Sequence, residues 1–152
     1  FERLGVYTEQ ELLARYEIKL EKYIKVINIE AQAMLQMAKR EILPAVIRYA
    51  ADLADSVMKL KKASYPAASS EILLGEISEN VEKLNQQIRS LEEVTKEIAE
   101  LPPESLQQEA EFCRDTICPA MEKLRETADA LEAVTDKKVW PMPTYDLLLF
   151  GV

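Results

Sequence analysis

Histidine is absent from this chain of 152 residues, and glycine occurs only three times. Without histidine the chain lacks the commonest general base and metal ligand, which excludes Ser-His-Asp and Cys-His catalysis and helix-borne Glu-x-x-His di-iron sites. Few glycines leave few positions for tight hairpin turns, whereas alanine, leucine, glutamate and lysine favour helices. The composition therefore predicts an all-α protein of about one domain, long enough to bury one hydrophobic core.

Long apolar runs are also missing, and the first residues, 1–5, show neither an initiator methionine nor a signal-peptide pattern. We therefore expect no membrane partner, and we interpret residues 1–7 as a linker from an upstream domain. The net charge of −8 argues against a nucleic-acid partner, because such binding rests on clustered lysine and arginine. Residues 70–111 carry this charge, with 11 glutamates against three basic residues. Such a stripe is typical of a solvated helix face, and an ion or cationic-partner site is the alternative.

The two cysteines, Cys113 and Cys118, lie five residues apart in a helical pattern. On an α-helix they would diverge by about 140°, which disfavours a disulfide. Reduced cysteines fit a cytoplasmic location. Without histidine or a second cysteine pair, a zinc site has no support. We expect no metal ligands, and we expect Cys113 to pack in the core.

The apolar periodicity predicts three helices, over residues 8–62, 70–101 and 103–134, in a bundle spanning residues 8–135. Thr8 and Glu11 form a capping-box pattern at the first start. Pro44 predicts a kink in the first helix, Ser70 an N-cap for the second, and Pro102-Pro103 the break before the third. Because short connections make sequential helices antiparallel, the arrangement expected is an up-down-up three-helix bundle.

The two prolines inside predicted helices have similar surroundings. Residues 42–45 read Ile-Leu-Pro-Ala and residues 117–120 read Ile-Cys-Pro-Ala. We interpret this echo as matched bending of two parallel helices, with internal duplication as the alternative.

Apolar residues at alternating spacings of three and four predict the buried side of the second and third helices. The second-helix seam comprises Ile77, Val81, Leu84, Ile88, Leu91 and Ile98, with Thr95 in the gap. The third-helix seam comprises Leu106, Ala110, Cys113, Ile117, Leu124, Ala128 and Leu131.

The first helix carries two apolar stripes rather than one. The first comprises Tyr16, Leu20, Tyr23, Ile27, Ala31, Met34 and Ala38. The second, roughly 140° away, comprises Ile18, Val26, Ile29, Ala33 and Met37. A first helix of about 80 Å is also too long to be covered by two helices of about 50 Å. We therefore predict that Ile18, Val26, Ile29 and Met37 form an interface, the alternative being that the chain's own tail covers them.

The tail, residues 136–152, holds the only tryptophan and ends in a short apolar run. Its prolines predict an extended segment, on which Trp140, Tyr145 and Phe150 are candidate interface anchors. Docking on the chain's own bundle and docking on another domain or subunit both remain open.

Several separated motifs resemble the C-terminal region of type III glutamine synthetases. In the first helix they are Arg15-Tyr16-Glu17-Ile18, Leu20-Glu21, Tyr23, residues 27–31, Met34 and residues 37–45. Towards the end they are Arg114-Asp115, residues 119–121, Leu124-Arg125, Ala128-Asp129 and residues 140–145. The chain departs from the family at Met142, where phenylalanine is frequent, and near Asp146-Leu147, where the family has Gly-Asp.

The resemblance implies a parent enzyme that ligates ammonia to glutamate with ATP and magnesium, through a γ-glutamyl phosphate. It also implies a cytoplasmic homo-oligomer of six-membered rings, a dodecamer, whose ligands for metal and nucleotide lie in an upstream catalytic domain. The family's catalytic residues correspond to no position here, so we expect no catalytic or cofactor-binding residue in this chain. The alternatives are an independent adaptor that binds partner helices, and an enzyme with an unrecognised carboxylate site.

Overall fold

The computed structural model describes residues 5–100, 106–143, 148–149 and 151, and within them it contains helices and no strand. The α-helices are α1 (Glu9–Met37), α2 (Leu43–Lys62), α3 (Ala68–Glu100), α4 (Leu106–Phe112) and α5 (Cys118–Val134). A π-helical turn, Ala38–Ile42, joins α1 to α2, and a second, Cys113–Ile117, joins α4 to α5. The all-α prediction is confirmed. The break at Pro102-Pro103 lies outside the described residues.

The first helix starts as the sequence predicts, with a reciprocal capping box. The Glu11 amide donates to Thr8 Oγ1 at 3.3 Å, and the Thr8 amide donates to Glu11 Oε2 at 2.8 Å. These bonds satisfy two of the backbone groups that a helix start leaves unpaired. They also stabilise the charged carboxylate and so lower the pKa of Glu11, the backbone bond from Thr8 contributing most.

The end of α2 is set by a residue in the left-handed conformation. Ser64 has φ 62°, the Tyr65 amide donates to the Leu60 carbonyl at 2.9 Å, and the Ser64 amide donates to the Lys61 carbonyl at 3.0 Å. This pair of bonds is a Schellman motif, with serine where glycine is usual. The predicted N-cap at Ser70 is wrong, because α3 begins two residues earlier, at Ala68.

Each π turn directly precedes a proline at the second position of the next α-helix. The Leu43 amide donates to the Ala38 carbonyl and the Cys118 amide to the Cys113 carbonyl, five residues back in each case. A proline lacks the amide proton and crowds the carbonyl four residues before it. The wider π turn accommodates that group, so helical structure continues without a loop from Glu9 to Lys62.

The core forms along one seam of each long helix. The seams predicted for α3 and for α4–α5 are confirmed, since Ile77, Leu84, Leu91, Cys113, Ile117, Leu124 and Leu131 are fully buried or nearly so. On α1 the buried face is rotated by roughly 50° from the predicted stripe. It includes Ile24 and Leu35, which the prediction left out, whereas Tyr16 and Tyr23 are exposed.

The helices pack around α3, which contacts both α2 and α5, while α1 contacts α4 and α3. Two ion pairs join the helical segment Glu9–Lys62 to α3: Lys39 pairs with Glu92, and Lys61 pairs with Glu71. Both leave their side chains substantially exposed to solvent, so each contributes at most about 1 kcal/mol to stability.

The tail starts with a tight turn rather than an extended segment. The amides of Val139 and Trp140 donate to the Asp136 carbonyl at 2.8 and 3.0 Å, and the Lys138 amide donates to Asp136 Oδ1 at 2.8 Å. This turn brings Trp140 onto the bundle, where it is 8% exposed and part of the core cluster. For Trp140 the structure therefore favours docking on its own bundle over the predicted interface role. Tyr145 and Phe150 lie outside the described residues.

Candidate functional site

The second apolar stripe of α1 lies on the outside of the protein. Ile18 and Ile29 are 64% and 69% exposed, and Val26 and Met37 are also exposed. On a helical wheel the centre of these four residues lies roughly 180° from that of the buried Ile24, Ala31 and Leu35. The described tail approaches this stripe only at Met37, which lines a groove together with Trp140 and Met142. We call the four residues the outward face.

The beginning of α1 stands clear of the rest of the chain. Every residue from Thr8 to Lys19 is exposed, Leu12, Leu13 and Tyr16 among them. An isolated helix of this length is marginal in water, since most helical stability in proteins comes from packing an apolar face. The arrangement fits a helix whose remaining contacts come from outside the described residues.

Two concavities lie along this outer side. The first, of about 650 Å³, is lined by Tyr7, Leu12, Arg15, Tyr16, Ile18 and Lys19. The second, of about 630 Å³, is lined by residues 29–40 of α1 and the first π turn, Ile29 and Ala33 among them, and by Glu92 of α3. Their centres are about 18 residues apart in sequence, which corresponds to about 27 Å along a helix axis.

Basic residues lie among the apolar residues of the outward face. Arg15 lies over the ring of Tyr7, 4.6 Å from its centroid. Within the described part of the chain, Lys19, Lys22 and Arg40 have no ion pair, whereas Lys25 pairs with Glu21 at 3.2 Å. Sequence reasoning missed these cations, although the spacing of Arg15, Lys19 and Lys22 by four and three residues was a readable signal.

Cations outnumber acids on this side of α1. Glu11 and Glu30 lie near the outward face, against Arg15, Lys19, Lys22 and Arg40. On a helical wheel Arg15 and Lys22 fall within about 10° of the centre of the outward face. The face therefore carries basic side chains among its apolar ones.

The cysteines are closer in orientation than the sequence predicted. A π turn separates them, and because it needs five residues to close its hydrogen bond, the divergence of about 140° expected on an α-helix does not apply. Both thiols are free, and Cys113 packs in the core as predicted. Burial, together with the neighbouring charges of Cys118 and Glu109, raises the pKa of the Cys113 thiol to about 11. The protonated, unreactive thiol therefore prevails at neutral pH.

Tyr23 links α1 to the start of α5, its Oη lying 3.9 Å from Cys118 Sγ. Burial, and then the contact with Cys118, raises the pKa of the Tyr23 hydroxyl. Tyr23 thus contacts α5 although it is 36% exposed.

A smaller groove of about 290 Å³ lies beneath the tail. Its wall is mostly apolar and is formed by Met34, Met37, Leu124, Trp140 and Met142, among others. Trp140 Nε1 is buried without a hydrogen-bond partner in the described part of the chain. This groove is the seat of the tail on the bundle.

Over residues 5–100, 106–143, 148–149 and 151, no group of three or more Cys, Asp or Glu side chains could hold a metal ion. No helix in that part of the chain is long and apolar enough to cross a membrane. The chemistry of the outward face is that of an apolar contact that includes basic side chains.

Comparison with known proteins identifies the family. The family described as "Glutamine synthetase C-terminal domain" matches residues 1–61. A glutamine synthetase of Butyrivibrio fibrisolvens is 31% identical over 155 residues, a match that covers 100% of this chain and 22% of that protein. A glutamine synthetase of Bacteroides fragilis is 25% identical over 150 residues, covering 95% of this chain and 20% of that protein.

The chain is similar to the glutamine synthetase C-terminal domain family over residues 1–61. A "Type-3 glutamine synthetase" of Dictyostelium discoideum is also 29% identical over 159 residues, covering 99% of this chain and 21% of that protein. The resemblance to type III enzymes is thereby confirmed. The chain spans about a fifth of the length of the curated relatives it matches.

Proposed function

We propose that this chain is the non-catalytic C-terminal domain of a type III glutamine synthetase, and that it packs on the catalytic domain and supports subunit association. The parent reaction is the ATP-dependent ligation of ammonia to glutamate, giving glutamine. We assign the binding of ATP and magnesium to the parent's upstream domain, and we place the parent in the cytoplasm as a dodecamer of six-membered rings.

The outward face of α1 carries this proposal. Ile18, Val26, Ile29 and Met37 are exposed, and the described part of the chain leaves every residue of the first three turns of α1 exposed. Burying each such side chain is worth about 1.5–3 kcal/mol, so leaving them all in water is costly. A domain that packs against a larger protein explains their exposure.

The same proposal includes an up-down-up arrangement with bends at the prolines. Two ion pairs support antiparallel packing of α3 against the helical segment Glu9–Lys62. Lys39 pairs with Glu92, and Lys61, which is later in the chain, pairs with the earlier Glu71. The two π turns before Pro44 and Pro119 support matched bends, since π turns are among the recognised causes of helix kinks. Bent helices would keep α1 close to the surface of a rounded neighbour.

The test is assembly of the full-length parent carrying Ile18→Asp and Ile29→Asp together. We expect weaker association of subunits or domains in sedimentation, because two charges would be desolvated at an interface. Ile72→Asp is the matched control, since Ile72 is a similarly exposed isoleucine on α3. Normal assembly of the double variant would rule out the outward face as a subunit or domain contact.

A further inference from the structure

We propose that the outward face of α1 packs against the same face of a second copy, with the two helices antiparallel and related by a two-fold axis beside Lys25. This inference rests on the proposed function, because it identifies the partner in the subunit association proposed above. The occupant of the face is therefore the α1 helix of another subunit of the parent protein.

The exposed side of α1 is long enough for this pairing. Every residue from Thr8 to Lys19 is exposed, and the outward face continues as far as Met37. Two antiparallel copies centred on Lys25 overlap along about 45 Å of helix. In such an isologous contact each residue pair forms twice. The face must therefore be complementary to itself.

The charges at the two edges of the face are complementary in this register. Lys19 and Glu30 lie on one side of the centre of the face, about 50° and 70° from it on a helical wheel. Glu11 and Arg40 lie on the other side. Each of these two pairs is centred within one residue of Lys25 in the sequence. One two-fold axis therefore brings Lys19 opposite Glu30 and Glu11 opposite Arg40, so that opposite charges meet at both edges.

The apolar residues also meet in this register. Leu12 lies opposite Met37 of the second copy, and Ile18 lies opposite Ala33, whose small side chain leaves room for it. Val26, one residue from the axis, lies opposite Val26 of the second copy. Leu12, Ile18, Val26 and Met37 are all exposed in the single chain, so their burial stabilises the pair.

A parallel pair fits less well. It would place each charged residue opposite its own copy, Lys19 beside Lys19 and Glu30 beside Glu30, so like charges would meet along the face. In the antiparallel pair Lys25 is nearest to the axis, and its charge is offset by Glu21 at 3.2 Å. The face still carries more cations than acids. The charges therefore select the register, while the apolar residues supply the affinity.

The first experiment cross-links the assembled full-length parent with a carbodiimide, which joins a lysine amine directly to a carboxylate in contact. We expect a link between Lys19 and Glu30. Within one helix these residues are about 16 Å apart, so this link forms only between two copies. Absence of the Lys19–Glu30 link, whatever else Lys19 is joined to, would overturn the proposal.

The second experiment exchanges the two charges in the full-length parent. Lys19→Glu alone places two acids opposite each other, and Glu30→Lys alone places two lysines there. We expect each to weaken association by about tenfold at low salt. Lys19→Glu with Glu30→Lys restores opposite charges and should recover most of the association. Lys83→Glu is the control, since Lys83 is exposed on α3, and it should associate like the unmodified parent.

The recovery separates a second copy from any other occupant, because only a partner that carries both changes can restore the pair. If the charge variants show no loss or no recovery while Ile18→Asp with Ile29→Asp disrupts assembly, the second copy is wrong as the occupant and the proposed function stands. If neither set of variants changes assembly, both are wrong.

Discussion

Trp140 shows how a single side chain ties the tail to the bundle. The turn at Asp136 directs it inward, and its ring becomes part of the core cluster beside α1 and α5. Its indole nitrogen gains nothing from this position, since Nε1 is buried without a partner in the described part of the chain. The stabilisation therefore comes from the apolar ring, and the unpaired donor subtracts from it.

Replacement of Trp140 should separate these two contributions. We expect Trp140→Ala to lower the free energy of unfolding by about 3–5 kcal/mol, because a large side chain leaves a cavity. Trp140→Phe should lower it by only about 1–2 kcal/mol, because it keeps a ring and removes the unpaired donor. Urea denaturation followed by far-UV circular dichroism measures both. Equal losses for the two variants would contradict this account.

At the scale of elements, the positions of the helices follow from local sequence. The details that were predicted wrongly depend on more than local sequence. The seam of α3 was predictable because its apolar residues form one narrow stripe, Ile77 to Ile98, on an otherwise charged helix. The buried side of α1 was harder to predict, because two apolar stripes leave the choice between them to tertiary packing. The burial of Ile24 and Leu35 shows which side faces the core. The π turns were missed because proline signals disruption without specifying how the helix accommodates it.

The end of α2 offers a direct test of the left-handed residue. Ser64→Gly should raise the free energy of unfolding by up to about 1 kcal/mol, because a residue with a side chain is disfavoured at φ 62°. The gain is limited by the greater freedom of glycine in the unfolded chain. Ser69→Gly is the control and should destabilise, since Ser69 lies within α3. A loss of stability from Ser64→Gly would show that this motif does not control the helix end.

Over the whole molecule, apolar surface and charge are distributed unevenly. The acids concentrate on α3, whereas the outward face of α1 carries apolar and basic residues together. The extra stripe on α1 was predictable from sequence, because one bundle cannot bury two sides of a long helix. The packing of Trp140 on its own bundle was not predictable, because it depends on the turn at Asp136.

The isolated 152-residue chain should associate with itself when concentrated, since its outward face then has only copies of itself to pack on. Because basic residues lie on that face, self-association should strengthen with salt, which screens their mutual repulsion. Sedimentation over a range of salt concentrations measures this. Ile18→Asp with Ile29→Asp should stay monomeric with unchanged helicity. If that variant unfolds instead, the outward face belongs to the chain's own core.

The π turns also bear on how this domain tolerates changes in chain length. Each takes up one residue more per hydrogen bond than an α-turn, and the buried positions on either side still recur at spacings of three and four. A homologue that lost or gained a single residue at either site could convert between π and α geometry and keep both flanking seams in place. Gaps in alignments of this family should therefore be tolerated next to Pro44 and Pro119, inside helices where insertions are ordinarily excluded.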